Sequence, residues 1–270
     1  MMRAGAAGST EPRRRGRTPG MTISAVIITR NEEQSIGRCL GAIADWIDEI
    51  IVVDSGSTDR TQAIVESFPM ARFIAAGWDG YGANKNRGNE AARGDYILSL
   101  DADEEVSPEL RAAILAVRPQ LDGTTAFAMN RLARYGERWI RHSGWYPDWQ
   151  LRLFPRAGSR WNAALVHERV ELAPGVRRER LSGHLLHHAY ATVSEHIAKA
   201  NAYSSLRARE LAGGRWLLLR GVWKAKVRFL KHYLVGRGFL DGYPGLMIAI
   251  VSAFTVFAAH AKAREMATRR

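Results

Sequence analysis

Two aspartates separated by one residue, Asp101 and Asp103, follow the apolar run Tyr96-Ile-Leu-Ser-Leu100. Carboxylates spaced in this way at the end of a strand can both face one hard divalent cation, which prefers oxygen ligands. A cation held there neutralises a diphosphate and stabilises it as a leaving group. Because Glu104 and Glu105 follow, a solvated acidic loop that caps a helix explains the same residues. The sequence therefore predicts a Mg²⁺ or Mn²⁺ site, with the acidic loop as the alternative.

Short β-rich runs alternate with helical stretches in the first half of the chain. The predicted strands are residues 23–28, 49–54, 72–75 and 95–100. This alternation is typical of an α/β fold with a mostly parallel sheet covered by helices. In such sheets ligands bind where the carboxyl ends of the strands meet. Asn31, Asp54 and Asp101 each follow a predicted strand, so we expect them to lie together at one edge of the sheet.

Helices and later strands are predicted from residue spacing. One apolar helix face consists of residues spaced four, three and four apart, namely Ile36, Leu40, Ile43 and Ile47. Ser107-Pro108-Glu109 is a typical helix start, with a hydroxyl cap, a proline in the first position and an acid in the first turn. Beyond residue 130 the predicted elements are strands at 150–154 and 166–170 and helices over 194–235.

Four segments stand in a characteristic order and spacing, namely Ala25–Glu32, Ile51–Asp59, Lys85-Asn86 and Leu98–Asp103. Together they resemble the family 2 glycosyltransferases. Gly144–Phe154 and Val166-His-Glu168 more closely resemble the lipopolysaccharide-core β-1,4-glucosyltransferase type. The resemblance covers roughly residues 21–205 and implies a GT-A fold, an inverting reaction and a nucleotide-sugar donor of the UDP-sugar class.

The resemblance also implies residues that bind the nucleotide sugar. Thr29, Asn31 and Glu32 would border the nucleotide pocket, and Asp54 would accept hydrogen bonds from the uracil or the ribose. Lys85 would approach the ribose or the phosphates as a point charge. An exposed helix lysine is the alternative interpretation of Lys85.

Metal and phosphate ligands follow from the same resemblance. Asp103 would be the firmest metal ligand, Asp101 would be shared between metal and ribose, and His167 would be a third ligand. A packed or hydrogen-bonded histidine explains His167 equally well. Arg152 is expected to clamp a phosphate. The histidines at 184, 187 and 188 are interpreted as part of a strand and loop on the acceptor side, because no carboxylate is spaced in sequence to complete a metal cluster.

An inverting transfer needs a base for the acceptor hydroxyl. Asp148 is the first candidate, because it lies where related enzymes carry an acidic pair before an arginine-containing strand. Pro147 replaces the first acid of that pair. The alternative interpretation is a loop aspartate paired with Arg152, and Glu168 is the second candidate base. Trp145, Tyr146 and Trp149 are expected either to stack on sugar rings or to pack in the core.

The net charge of +12 is unevenly distributed. Residues 21–130 hold 9 basic and 17 acidic residues, whereas residues 207–237 hold nine basic residues and one acidic residue. Nucleic acid is not an expected partner of a protein with so acidic a first half. A basic C-terminal part instead indicates an anionic membrane surface. The single cysteine, Cys39, excludes an intramolecular disulfide and is compatible with the cytoplasm.

Three domains are predicted, namely a basic tail at 1–20, a GT-A catalytic domain at 21–205 and a helical membrane-associating extension at 206–270. Trp216–Lys231 combines apolar and basic residues, as in a helix that lies in a membrane interface; an amphipathic helix packed on the catalytic domain is the alternative. Gly242–Ala261 contains no Lys, Arg, Asp or Glu and is long enough to span a bilayer. A partly inserted helical hairpin is preferred to a spanning helix, so we expect a protein peripheral to the inner face of the cytoplasmic membrane.

Three functions fit these features. The first is transfer of a hexose, glucose foremost, from a UDP-sugar to a hydroxyl of a lipopolysaccharide-core or other lipid-linked glycan acceptor. The second uses the same donor class with polyprenyl phosphate, an acceptor that is already an anion and needs no base. The third is a non-enzymatic polybasic module that binds membranes or RNA, for which salt-sensitive binding is expected.

Overall fold

A computed structural model describes residues 20–162, 168–211, 214 and 216–268. The strands are β1 Ile23–Thr29, β2 Glu49–Asp54, β3 Ala71–Ala75, β4 Tyr96–Asp101, β5 Glu104–Val106, β6 Thr125–Tyr135, β7 Arg138–Trp139, β8 Asp148–Pro155, β9 Arg160–Trp161, β10 Val170–Glu171 and β11 Arg177–Tyr190. The α-helices are α1 Ile36–Gly41, α2 Thr61–Glu66, α3 Tyr81–Ala91, α4 Pro108–Val117, α5 Val193–Glu210, α6 Leu217–Leu230 and α7 Gly242–Thr268. A π-helix at Lys231–Val235 continues α6, and short 3₁₀ helices lie at Arg118–Gln120 and Gly238–Asp241.

The larger sheet has the strand order β3-β2-β1-β4-β8-β6-β11-β5, with β7 paired to β6. Strands β3, β2, β1 and β4 are parallel to one another. Strand β8 is antiparallel to both β4 and β6, and β11 is parallel to β6. The predicted α/β architecture of the GT-A type is therefore confirmed, with one reversed strand inserted beside the parallel half.

The parallel strands are buried on both faces, which explains their continuous apolar sequences. Every residue of β1 is buried, and helices cover both sides of the sheet. Helix α3 lies unusually close to β1 at Gly88, where an added Cβ would overlap the Cγ1 atom of Val26. A side chain at this position would therefore push the helix away from the sheet.

Helix α1 is shorter than its apolar pattern predicts. The four apolar residues of the predicted face are all buried, so the face itself is correct. The helix nevertheless ends at Gly41. The chain continues as turns whose backbone hydrogen bonds span either three or four residues, such as Ile43 N to Leu40 O at 3.1 Å. The predicted start of α4 is confirmed, because the hydroxyl of Ser107 accepts a hydrogen bond from Leu110 N. Of the strand predicted at 166–170, residues 168–170 are described, and of these Val170 alone belongs to a strand, β10.

The C-terminal helices pack on one another and on the sheet domain. Helix α7 contacts both α5 and α6, and Gly221 of α6 packs against His260 of α7. The boundary expected between residues 205 and 206 falls inside α5. The helical segment Gly238–Thr268 is, by length and composition alone, able to cross a membrane, although part of it is buried against its neighbours.

Candidate active site

A cleft of about 2070 Å³ opens at the carboxyl ends of β1 and β4. In the register of the sheet Thr29 pairs with Asp54, and Ile28 pairs with Asp101. The predicted meeting of polar residues at this edge is thereby confirmed. The opposite wall comes from α5, α6 and α7, so the cleft is shared between the sheet domain and the C-terminal helices.

Seven charged side chains of alternating sign form a continuous series below the cleft, which we call the charge chain. In order they are Asp148, Arg131, Glu104, Arg152, Asp101, Lys85 and Glu168. The successive nitrogen–oxygen distances are 2.8, 3.5, 2.6, 2.7, 3.0 and 3.1 Å. Each internal member has an opposite charge on both sides, which is the condition under which buried charges are tolerated.

Asp101 lies near the middle of the charge chain, and each of its carboxylate oxygens contacts a basic side chain. Its Oδ1 is 3.0 Å from Lys85 Nζ, and its Oδ2 is 2.7 Å from Arg152. Burial raises the pKa of Asp101, but the charges of Arg152 and Lys85 outweigh it and lower the pKa well below its ordinary value. The carboxylate is thus ionised and paired with two cations of the protein, and its expected contact with a metal ion stays a prediction.

Lys85 is almost completely buried rather than an exposed helix lysine. Its Nζ contacts Asp101 and Glu168 and lies 4.4 Å from the ring centroid of Trp161. Arg152 is also buried, and it donates to Glu104 and Asp101. Arg152 is therefore paired with two carboxylates of the protein, and its expected contact with a phosphate stays a prediction.

Asp103 has a histidine partner that the sequence interpretation did not assign to it. His187 on β11 places Nε2 3.2 Å from Asp103 Oδ2, and the next residue, His188, places Nε2 3.3 Å from Glu105 Oε2. Burial raises the pKa of Asp103, yet the interaction with His187 outweighs it and lowers the pKa. Burial and the charge of Asp103 also raise the pKa of nearby Glu32.

The fit of this region to a divalent cation rests on Asp103 and His187. A carboxylate and an imidazole are both ligands of Mn²⁺-type cations, and a bound diphosphate supplies further oxygens. Within the described residues no three potential ligands converge on a preformed site. His167, expected as the third ligand, lies outside the described residues. The pair is compatible with a cation that binds together with the donor.

The β1 and β2 loops are tied to each other. Asn31 adopts the left-handed conformation with φ of 54°, and its Oδ1 accepts a hydrogen bond from Thr58 N at 2.8 Å. Asp54 accepts from the backbone of Gly56 and Ser57 and from the Ser57 hydroxyl. Both residues therefore shape the loops, a role that the sequence interpretation did not include.

On this side of the cleft Thr29 carries a polar group without a hydrogen-bond partner in the described part of the chain. Its hydroxyl is buried and has no hydrogen-bond partner within the described residues. Glu32 and Glu168 also line the cleft. A buried hydroxyl without a partner at the mouth of a cleft is suited to hydrogen-bond a ligand.

Asp148 is held by residues other than the one expected. Its Oδ2 is 2.8 Å from Arg131, not paired with Arg152, and its Oδ1 accepts from Gln150 at 2.6 Å. Asp148 itself is not among the residues of the cleft wall, although Arg131, Trp149 and Gln150 are. The carboxylate therefore lies next to residues of the cleft wall, and its side chain is about one-third exposed at 32%.

The aromatic residues predicted to contact sugars divide into two groups. Trp149 lines the cleft and has Arg180 above its ring at 4.5 Å from the centroid. Trp145 instead packs against Tyr135 and His196 in a separate cluster. Of these two tryptophans, only Trp149 is positioned to meet a sugar face.

Comparison with known proteins identifies the family to which the chain belongs. Residues 24–183 match the model of Glycosyl transferase family 2. The chain is similar to LpsC, a lipopolysaccharide core biosynthesis glycosyltransferase of Rhizobium meliloti, with 30% identity over 91% of this chain and 96% of the relative. It is similar at 30% identity to the uncharacterized glycosyltransferase RT0209 of Rickettsia typhi, over 92% of this chain and 88% of the relative.

Among solved structures the similarity is partial. Glucosyl-3-phosphoglycerate synthase of Mycobacterium tuberculosis, solved with Mn²⁺ and UDP, matches at 26% identity and a TM-score of 0.37. That match covers 45% of this chain and 50% of the other, about half its length. The S. aureus protein TarS matches at 18% identity and a TM-score of 0.43, over 67% of this chain and 64% of the other.

Proposed function

The chain belongs to glycosyl transferase family 2, and on that premise we propose that it moves a hexose, glucose foremost, from a UDP-sugar to a hydroxyl of a lipopolysaccharide-core or other lipid-linked glycan. The observation that carries the proposal is the cleft at the carboxyl ends of the strands, with Asp103 and His187 together in its wall. The similarity to LpsC supports this acceptor class.

The donor would bind at the strand ends. The unpartnered hydroxyl of Thr29 faces the nucleotide, with Arg30 and Glu32 beside it in the cleft wall. Asn31 and Asp54 act indirectly in this proposal, because their hydrogen bonds fix the two loops that border the nucleotide. Lys85 and Asp101 keep the cleft floor close to neutral, so that the anionic diphosphate is not repelled.

Asp103 and His187 would hold a Mg²⁺ or Mn²⁺ ion, with Asp101 contributing through its position in the charge chain rather than as a free ligand. When bound, such an ion stabilises the diphosphate as a leaving group. Without the ion, Nε2 of His187 contacts Oδ2 of Asp103 at 3.2 Å and holds that carboxylate in the cleft wall.

Transfer with inversion requires one concerted displacement. The oxygen of the acceptor hydroxyl forms a bond to the anomeric carbon, the bond from that carbon to the diphosphate breaks, and the hydroxyl proton passes to a carboxylate. Asp148 is the proposed base, because it lies beside the wall residues Arg131 and Trp149. Glu168, which lines the cleft but is bound to Lys85, is the second candidate.

The contacts of the Asp148 carboxylate favour one alternative function. Both of its oxygens have partners, Arg131 and Gln150, so neither can take a proton from an acceptor without giving up a contact. A polyprenyl-phosphate acceptor is already an anion and needs no base. The same donor class with that acceptor is therefore the second candidate function.

The C-terminal helices would place the enzyme at the inner face of the cytoplasmic membrane. Helix α6 exposes Leu219, Val222 and Trp223, with exposed fractions of 62%, 55% and 64%, and carries several basic residues. Exposed apolar side chains flanked by cations are typical of helices that lie in an anionic interface. In this proposal α7 supports α6 from behind and does not span the bilayer.

A thermal-shift experiment tests the donor and metal assignments together. We expect UDP-glucose to raise the Tm of the wild type, with a larger increase in the presence of Mn²⁺. The extra increase should disappear in Asp103→Ala and persist in Asp45→Ala, an exposed carboxylate remote from the cleft. Equal stabilisation of the wild type and Asp103→Ala, or no stabilisation by UDP-sugars, contradicts the proposal.

A further inference from the structure

Three cations on the helical wall of the cleft have no assigned role in sugar transfer. Lys224, Arg228 and Lys231 all line the cleft and follow one another at spacings of four and three, so they share one helix face. We call them the cationic row. Within the described residues no carboxylate lies within ion-pair distance of any of the three. Neighbouring like charges repel one another, so such a row favours an anionic ligand.

The cationic row continues into a second, smaller cavity. This cavity measures about 360 Å³ and is lined by Gly144, Arg228, Lys231, His232, Val235 and Gly236. Arg228 and Lys231 belong to both cavities, so they connect the active-site cleft to the smaller one. A ligand that extends from the cleft along α6 therefore reaches this cavity.

His232 lines the smaller cavity and carries a hydrogen-bond acceptor that has no partner within the described residues. Its Nδ1 lies 2.6 Å from the carbonyl oxygen of Ser143, which requires the proton to be on Nδ1. Its Nε2 is buried and has no partner within the described part of the chain. Burial, together with the charges of Arg228 and Lys231, lowers the pKa of His232, so the neutral ring offers a lone pair. The natural partner of this lone pair is a hydroxyl group.

We propose that the acceptor is an anionic glycan whose phosphate or carboxylate binds the cationic row while a neighbouring sugar hydroxyl donates to His232 Nε2. This inference rests on the proposed function, because the row and Asp103 line one cleft. A bilayer surface accounts less well for the row. Arg220 and Lys226 of the same helix are exposed, as the row residues are, but only the row also lines the cleft.

Binding of glucose 6-phosphate, with glucose as the uncharged reference, tests the proposal by NMR titration of the full chain. The wild type should bind the phosphorylated sugar more tightly than glucose. Lys224→Gln/Arg228→Gln should weaken that binding at least about tenfold. The matched pair Arg220→Gln/Lys226→Gln removes the same charge from the same helix and should change it little. Equal loss in both variants, or no preference for the phosphate in the wild type, overturns the proposal.

A substitution at His232 and binding to lipid vesicles provide the remaining controls. His232→Asn keeps a donor for the Ser143 carbonyl and leaves no acceptor at the position of Nε2, because its amide oxygen lies elsewhere, so it should weaken binding without changing the fold. Vesicles of phosphatidylcholine with and without phosphatidylglycerol distinguish a lipid headgroup from a sugar-borne anion. If the row variant loses vesicle binding but keeps glucose 6-phosphate, the row serves the lipid surface and the proposal is wrong. UDP-glucose binding should be unchanged in every variant, and its absence in the wild type would instead contradict the proposed function.

Discussion

Nε2 of His187 lies 3.2 Å from Oδ2 of Asp103, although 84 positions separate the two residues. Strand β11 pairs with β5 so that His187 stands opposite Glu104, one residue beyond Asp103. The contact therefore depends on the pairing of two strands that are distant in sequence. It brings an imidazole from β11 to the acidic triplet Asp101-Ala102-Asp103.

Loss of His187 should weaken the metal-dependent part of donor binding. We expect His187→Ala to reduce the apparent affinity for Mn²⁺ in the presence of UDP by at least about tenfold. Calorimetric titration of Mn²⁺ measures this. His184→Ala is the matched control, because His184 lies on the same strand and contacts Tyr146 rather than the triplet. An equal effect of both substitutions would show that the loss is structural.

Asp148 and Glu168 should respond differently to loss of charge. Asp148→Asn is expected to lower kcat by at least about 100-fold while leaving UDP-glucose binding intact, because a general base acts only on the acceptor. Glu168→Gln should mainly alter donor binding, since it removes the negative charge that is paired with Lys85. Steady-state kinetics with separate measurement of donor affinity distinguish the two. Full activity of Asp148→Asn supports the polyprenyl-phosphate alternative.

Removal of Arg152 should destabilise the protein strongly. Arg152→Met leaves Glu104, which is fully buried, without its closest cation and removes one of the two cations of Asp101. Breaking a buried ion pair in this way costs about 3–5 kcal/mol. Urea unfolding measures the loss. The double variant Arg152→Met/Glu104→Gln should recover part of it, and failure to recover any would indicate that packing rather than charge is responsible.

His196 should make stability depend on pH. The ring is buried, stacks on Tyr190 and lies near Tyr135, and burial with the charge of Lys199 lowers its pKa to about 4. The folded state thus resists protonation more than the unfolded state, whose pKa is near 6.5. The contribution of His196 to the free energy of unfolding is fully present above pH 6.5. It falls as the pH drops toward 4, by at most about 1.4 kcal/mol per pH unit.

Urea unfolding of His196→Gln over the same pH range isolates this contribution. Other histidines, including His184 and His232, also have lowered pKa values and contribute to the wild-type slope. The comparison therefore concerns the difference between the two proteins. The variant should lose less stability than the wild type between about pH 6.5 and pH 4. Parallel curves would be inconsistent with a buried neutral imidazole.

The apolar face of α6 should determine vesicle binding. Leu219→Ser/Trp223→Ser is expected to weaken binding to phosphatidylglycerol-containing vesicles by at least about tenfold, because each inserted side chain contributes about 1.5–3 kcal/mol. Co-sedimentation measures it. Leu115→Ser on α4 is a control with an exposed leucine outside the C-terminal helices. Binding that depends only on salt, and not on these residues, argues for a purely electrostatic attachment.

Strand ends were the part of the site that the sequence could predict. Apolar runs that end in Thr29, Asp54 and Asp101 define parallel strands, and parallel strands place their carboxyl ends side by side. The motif order then predicted the family. These features are local, or follow from a general rule about parallel sheets.

Contacts between distant elements could not be predicted in the same way. His187 reaches Asp103 through the register of β11 with β5, and Asp148 pairs with Arg131 through the register of β6 with β8. Sequence spacing contains no information on either register. The burial of Lys85 also depends on how closely α3 approaches the sheet, which no periodicity of the helix indicates.

That close approach has a consequence for electrostatics. Lys85 lies one turn before Gly88, at the point where α3 touches β1. Any side chain at position 88 would lift the helix and withdraw the ammonium group from Asp101, changing the local potential without altering a single charged residue. A residue with no side chain thus helps to set the balance of charge in the cleft, and a search for functional positions confined to polar residues would miss it.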